Sequence, residues 1–171
     1  MSSPKLKVVI PAEKRAGEAR VATVPDVVGK LIRAGVSVEV ESGAGAQSQA
    51  TDEDFRKAGA TVSSAVDLAN ADVVLSVNAL EPAVLAKLKK GALTISFLSP
   101  TASLDSISAA KNAGVTAFSL ELVPRISRAQ SMDALTSQAL CAGYRAALVA
   151  AELSPRFFPL LMTAAGTVPP A

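Results

Sequence analysis

Asp72–Leu98 reads DVVLSVNALEPAVLAKLKKGALTISFL, and this stretch decides the fold. Its opening, Asp72–Val77, is an apolar run bounded by polar residues, the pattern of a parallel strand covered on both faces. Glu81–Leu88 then reads as a helix, with Gly91 as its stop. Ala92–Leu98 is a second strand. The same alternation runs outward in both directions. Upstream lie a strand at Lys5–Ile10, a helix at Pro25–Ala34 with Thr23 as its candidate cap and Gly35 past its end, and an alternating strand at Val36–Glu41. A short acid-started helix, Asp52–Ala58, follows, then a strand at Ala60–Val62. Downstream lie a helix at Leu104–Asn112, a strand at Val115–Leu120, a loop at Glu121–Ser131 and a long helix from about Met132 to Leu153. No repeat of fixed period interrupts them.

Strand–helix alternation of this kind predicts an α/β fold, an open and mostly parallel sheet with flanking helices. The predicted division is an α/β N-terminal domain over 1–131 and, over 132–171, a long linking helix and a hinge-like tail. The helix is very small-sided, with Ala142, Gly143, Ala146, Ala147 and Ala150 among its residues. It reads either as a tightly packed core helix or as one packing across a subunit or domain boundary.

Composition removes several chemistries. The 171 residues are 50% apolar and 4% aromatic, without Trp, so the core is built from Ala, Val, Leu and Ile. There is no His, which excludes Ser-His-Asp and Cys-His nucleophiles and imidazole metal sites from this sequence. The single Cys141 excludes an internal disulfide and a cysteine zinc cluster, and reads as a small core residue. A net charge of +2 with interspersed signs gives no sign of a nucleic-acid surface. The opening MSSPKLKVVIPAEK lacks the pattern of a signal peptide, and no apolar run reaches the roughly 18 residues of a membrane span. The expectation is a soluble, cytoplasmic chain with no direct membrane insertion.

Three stretches are candidates for function. Gly43–Ser48, GAGAQS, follows a strand but has Ser48 where a dinucleotide fingerprint has its third Gly, so it reads better as a surface turn than as a phosphate cradle. Arg15–Arg20, RAGEAR, follows the first strand, where α/β folds place ligands; it reads as an anion clamp or as a solvated loop in which Glu18 pairs an arginine. Pro124–Gln138, PRISRAQSMDALTSQ, is the most informative. Arg125, Arg128, Gln130 and Asp133 form an orienting set, in which the Gln130 amide both donates and accepts and Asp133 can hold an arginine. The same residues also read as a helix capped by Ser131, with Asp133 favoured by the dipole in its first turn.

At this third stretch the sequence resembles the alpha subunit of proton-translocating NAD(P) transhydrogenase, within the alanine dehydrogenase/transhydrogenase N-terminal family. The matching segments are VVIPAEKRAGEARVATVPDVVGKL, EVESGAGAQSQATDEDFRKAGA, PRISRAQSMDALTSQALCAGYRAA and TAAGTVPPA. The resemblance implies the first, fingerprint-free domain of a two-domain Rossmann-like subunit that binds NAD(H) in its interdomain cleft. It implies that Arg125, Gln130 and Asp133 reach the nicotinamide, with Thr136 and Tyr144 nearby. It implies hydride transfer from NADH to NADP+, with NADP(H) on a separate subunit or domain and a membrane-spanning partner coupling it to proton passage. The long helix matches one that links two domains and contributes to a homodimer contact, and the protein would lie peripheral to the inner membrane. Relatives continue past the position matched by Ala171 into a nucleotide-binding domain, so this chain alone is expected to be inactive.

Two rival readings remain within that family. In an alanine dehydrogenase domain Arg20 would match the substrate arginine, but Ser76 and Ser99 stand where that enzyme has Lys and His, and neither supplies a general acid or base. A non-catalytic dimerisation or regulatory module would instead use an exposed apolar face.

Overall fold

A computed structural model of the chain describes residues 6–171. Lys5, the expected start of the first strand, lies outside them. The chain divides into two compact units, the first running to Val123 and the second from Pro124 to Ala171.

The first unit is a sheet of six parallel strands with helices on both faces. The strands are β1 (Lys7–Ile10), β2 (Ser37–Glu41), β3 (Thr61–Ser63), β4 (Val73–Asn78), β5 (Leu93–Phe97) and β6 (Thr116–Ser119). Their spatial order is β3-β2-β1-β4-β5-β6, with every neighbouring pair parallel. The helices are α1 (Pro25–Arg33), α2 (Asp52–Lys57), α3 (Pro82–Leu85) and α4 (Leu104–Ala113).

The core follows from the period of two along each strand. Val8 and Ile10 point to one face and pack with Val28 of α1, Phe55 of α2, Val38 and Val40. Val9 points to the other face and packs with Val74, Leu85, Leu88, Ala92 and Ala110. β1 therefore has paired strands on both sides and apolar cores on both faces. With one aromatic ring among the buried residues, Phe55, the layers close on β-branched and Ala side chains.

Helix ends show where local chemistry departs from expectation. Thr23 does not cap α1; the cap position is Val24 and Thr23 is buried. Pro25 at the first helical position supplies the start instead, because its nitrogen has no proton to satisfy. α2 carries a complete capping box between Thr51 and Asp54. The helix expected over Glu81–Leu88 keeps its α geometry only to Leu85, and tighter i to i−3 bonds from Lys87 and Leu88 carry the chain on.

The second unit holds a 3-10 segment (Ser127–Met132), the helix α5 (Ala134–Leu153) and a short antiparallel hairpin of β7 (Leu161–Thr163) and β8 (Gly166–Val168). None of the twenty residues of α5 is buried. The core-helix reading therefore fails for this chain, and Cys141, expected in a core, is exposed. The hinge-like tail is in part the hairpin. Among the described residues no helix is long and apolar enough to cross a membrane.

Candidate functional site

The two polar clusters singled out in the sequence lie in different units. In the second unit the predicted set gathers around the start of α5. Asp133 is the N-cap of that helix: its carboxylate accepts from the Thr136 backbone N–H at 2.9 Å and from the Thr136 hydroxyl at 2.6 Å. Ser131 is therefore not the cap. The Thr136 hydroxyl bond holds the Asp133 carboxyl below its usual range, and Arg125 adds to this through its charge. Asp133 thus bonds Thr136 rather than gripping an arginine. The Gln130 carbonyl accepts from the Asp133 N–H at 3.2 Å, so the 3-10 segment runs directly into the cap. Arg128 and Gln130 are exposed on it, as is Arg125 just before it, while Ala129 is buried.

Arg125, Gln130, Asp133 and Thr136 are thereby brought to one end of the helix. Tyr144 is not part of that cluster: it lies eight residues beyond Thr136, about 12 Å along the axis, and is 68% exposed. The exposed donors at this end of the helix can meet a polar ligand. An exposed carboxamide can pair with a carboxamide, and an exposed guanidinium can meet an electron-rich oxygen.

The GAGAQS turn offers no comparable phosphate site. The Gly43 N–H donates to Asp52 at 2.8 Å, and those of Ala44, Ala46 and Ser48 donate to carbonyls of Glu41, Gly43 and Gly45. Gly45 is packed so closely that an added Cβ would collide with the Ala50 carbonyl oxygen. These glycines serve the turn and its contact with Phe55.

In the first unit the RAGEAR stretch meets the end of β4. Glu18 receives Arg20 through Nε and Nη2, both at 2.7 Å, and the Asn78 amide at 2.9 Å. The pair is no loose surface bridge, because the Glu18 side chain is only 8% exposed. Arg20 lowers the Glu18 pKa to about 2, against the opposing effect of burial. Arg15 donates to Asn78 Oδ1 at 3.3 Å, and the Arg20 guanidinium lies 5.9 Å from the centre of the Phe97 ring. A register shift between Leu75 and Asn78 turns the Val77 and Asn78 N–H groups toward Glu13. Ser76 is buried and donates to the Asn78 carbonyl at 2.8 Å.

Sequence reasoning missed Glu13, Asn78 and Glu121. Glu121 accepts from Ser119 Oγ at 2.6 Å, from the Leu98 N–H at 3.0 Å and from the Ser99 N–H, and Ser99 has a φ of 47°. Burial pushes the Glu121 carboxyl up, but these donors leave it below its ordinary value. A lone acid just beyond a strand carries little signal, because two of its partners, Leu98 and Ser99, follow a neighbouring strand.

By fold the first unit is an open parallel α/β domain with the strand order of dinucleotide-binding proteins, and its sequence holds no G-x-G-x-x-G after a strand. Residues 9–142 match the model of the alanine dehydrogenase/PNT N-terminal domain, and the chain belongs to that family. It is 46% identical over 173 residues to the first part of NAD(P) transhydrogenase subunit alpha from Rhodospirillum rubrum, covering 97% of this chain and 45% of that protein. The transhydrogenase structure from Sinorhizobium meliloti superposes with a TM-score of 0.89 at 45% identity, over 96% of this chain and 50% of that one. Alanine dehydrogenase of Mycobacterium tuberculosis is 36% identical over 120 residues, 69% of this chain and 32% of that enzyme. The chain thus spans about half the length of the transhydrogenase proteins it resembles.

Proposed function

We propose that this chain is part of the NAD(H)-binding component of an NAD(P) transhydrogenase, on the cytoplasmic side of a membrane-spanning partner. The observation that carries the reading is the segment Arg125–Thr136, which presents an amide and a guanidinium beside a capped helix start. The match to transhydrogenase subunits, over nearly the whole chain, supports it. NADH supplies a hydride, and NADP+ held by a separate subunit or domain receives it.

The chain's own residues have no proton to move. Gln130 pairs with the nicotinamide carboxamide and fixes which ring face is presented. Arg125, just before the 3-10 segment, fixes the ring or its ribose. Asp133 holds the first turn of α5 to that segment, so both side chains keep one orientation. Orientation of this kind supplies the rate when two bound rings exchange a hydride. Thr136 serves the site through Asp133, and Tyr144 serves it further along the dinucleotide. The linking helix and hinge, 132–171, lead to a second domain that supplies the phosphate contacts. The unburied α5 also favours a homodimer contact.

An NADH titration, followed by fluorescence of the reduced nicotinamide with NADPH as control, tests this. The chain alone binds NADH weakly. Joined to the segment that follows in its relatives, it saturates selectively with NADH, and Gln130→Ala and Arg125→Ala each weaken that binding about tenfold. Equal affinity for NADPH, or unchanged affinity in both variants, overturns the assignment. A joined protein that dimerises and binds neither nucleotide is the regulatory module instead.

A further inference from the structure

α1 and α2 pack on the same face of the sheet, and a groove of about 620 Å³ lies between them. Its floor holds Gly29 of α1 and Ala58 at the end of α2, both half-buried. Lys30 and Arg33 stand on one wall and Lys57 on the other, all three exposed. Among the described residues no carboxylate lies within ion-pair distance of any of them. Arg56, next to Lys57, does have such a partner, Glu53 at 3.9 Å. Two acids share the lining. Asp54 is committed: its Oδ2 accepts from the Thr51 N–H at 3.0 Å and from the Thr51 hydroxyl at 2.6 Å, and Lys57 reaches it only through its charge. Asp26 stands a turn before Lys30, at the start of α1, where the helix dipole favours an acid. The dipole also favours a cation in a last turn, which accounts for each of the three singly. It does not account for Gly29. A glycine inside a helix weakens it, and an added Cβ here would meet nothing closer than Arg33 Nη1 at 3.4 Å. The glycine leaves the floor open beneath the cations.

We propose that the groove between α1 and α2 is a binding site for a small diphosphate anion from solution. Arg33 meets one phosphate with two parallel N–H groups, with Lys30 beside it on the same wall. Lys57 meets the second phosphate as a point charge from the opposite wall. A single phosphate reaches one wall only, whereas two joined by a bridging oxygen reach both. The inference is independent of the nucleotide reading, which rests on Arg125–Thr136 in the second unit.

Calorimetric titration of the chain with sodium pyrophosphate, at constant ionic strength and without divalent cations, decides it. Pyrophosphate binds saturably at one site, and orthophosphate binds about tenfold more weakly. Arg33→Ala and Lys57→Ala each weaken pyrophosphate binding about tenfold. Gly29→Leu keeps every charge and favours the helix, but its side chain fills the floor, so its binding weakens too. Lys90→Ala removes a charge outside the groove and Gln130→Ala alters the other unit, and both bind as the parent does. A parent chain without saturable binding overturns the proposal. So does unchanged binding in Gly29→Leu, or a loss in Lys90→Ala as large as in Arg33→Ala, which is net charge without a site. A loss in Gln130→Ala places the anion at the nucleotide segment and overturns the groove as its site.

Discussion

Gly45 has no room for a methyl group: a Cβ there would collide with the Ala50 carbonyl oxygen and lie 2.8 Å from the Phe55 ring. Backbone on one side and a core ring on the other leave neither free to yield. Gly45→Ala is expected to cost about 1–3 kcal/mol, read as a lower urea midpoint. Gly143, in the exposed helix α5, has nothing within 4 Å of its added Cβ, and Gly143→Ala should stabilise by roughly 0.5–1 kcal/mol. If both variants shift in the same direction, tight packing is not what holds Gly45. The sequence alone does not separate these glycines. GAGAQS resembles a phosphate loop by composition, and only the fold shows that Asp52 and neighbouring carbonyls take its amides. Glu13 and Asn78 are illegible for the same reason, since they are 65 residues apart in the chain.

At the scale of the element, the start of α5 separates a structural role from a ligand role. Asp133 caps the helix through Thr136, so Asp133→Ala should destabilise its first turn and reduce helical circular dichroism. Asp133→Asn keeps a capping oxygen and should hold most of the helix. Weaker NADH binding in the Asn variant of the joined protein, with helicity retained, would show that the charge itself meets the nucleotide. Equal loss of helix in both variants would show that the cap depends on charge. The helix is legible from its run of small residues and its polar preface. Its first residue is not, because Ser131 and Asp133 are both good caps, and only the 3-10 segment that takes in Ser131 leaves the cap to Asp133. Apolar spacing overextends α3, because it continues to Leu88 while the backbone tightens after Leu85.

The whole first unit is tied together by carboxylates whose folded state favours the charged form. Glu18 is lowered from 4.5 to about 2 by its bonds to Arg20. Burial pushes Glu39 up, yet Lys7, at 2.9 Å, brings it below its ordinary value. Asp72 is lowered by Lys89, and the β1 backbone at Lys7 adds to this. A lowered folded pKa stabilises above the unfolded value and is lost on acidification, so stability is full above about pH 4.5 and falls toward pH 2. Urea midpoints should drop between pH 5 and pH 3, and less so in Glu18→Gln. A midpoint independent of pH over that range would mean that these acids contribute nothing to stability. The strand–helix alternation makes the parallel sheet legible, because covered strands are apolar throughout. Strand order is not legible, since nothing in β1 itself names β4 as its second neighbour.

That order has a consequence in time. Val9 is sealed on one side by β2 and on the other by Val74, 65 residues later. A ribosome adding about 5–20 residues per second needs roughly 3–13 s to travel that distance. For those seconds the most buried strand of the protein is an open edge of valine and isoleucine, and the nascent chain is at its stickiest before half of it has been made.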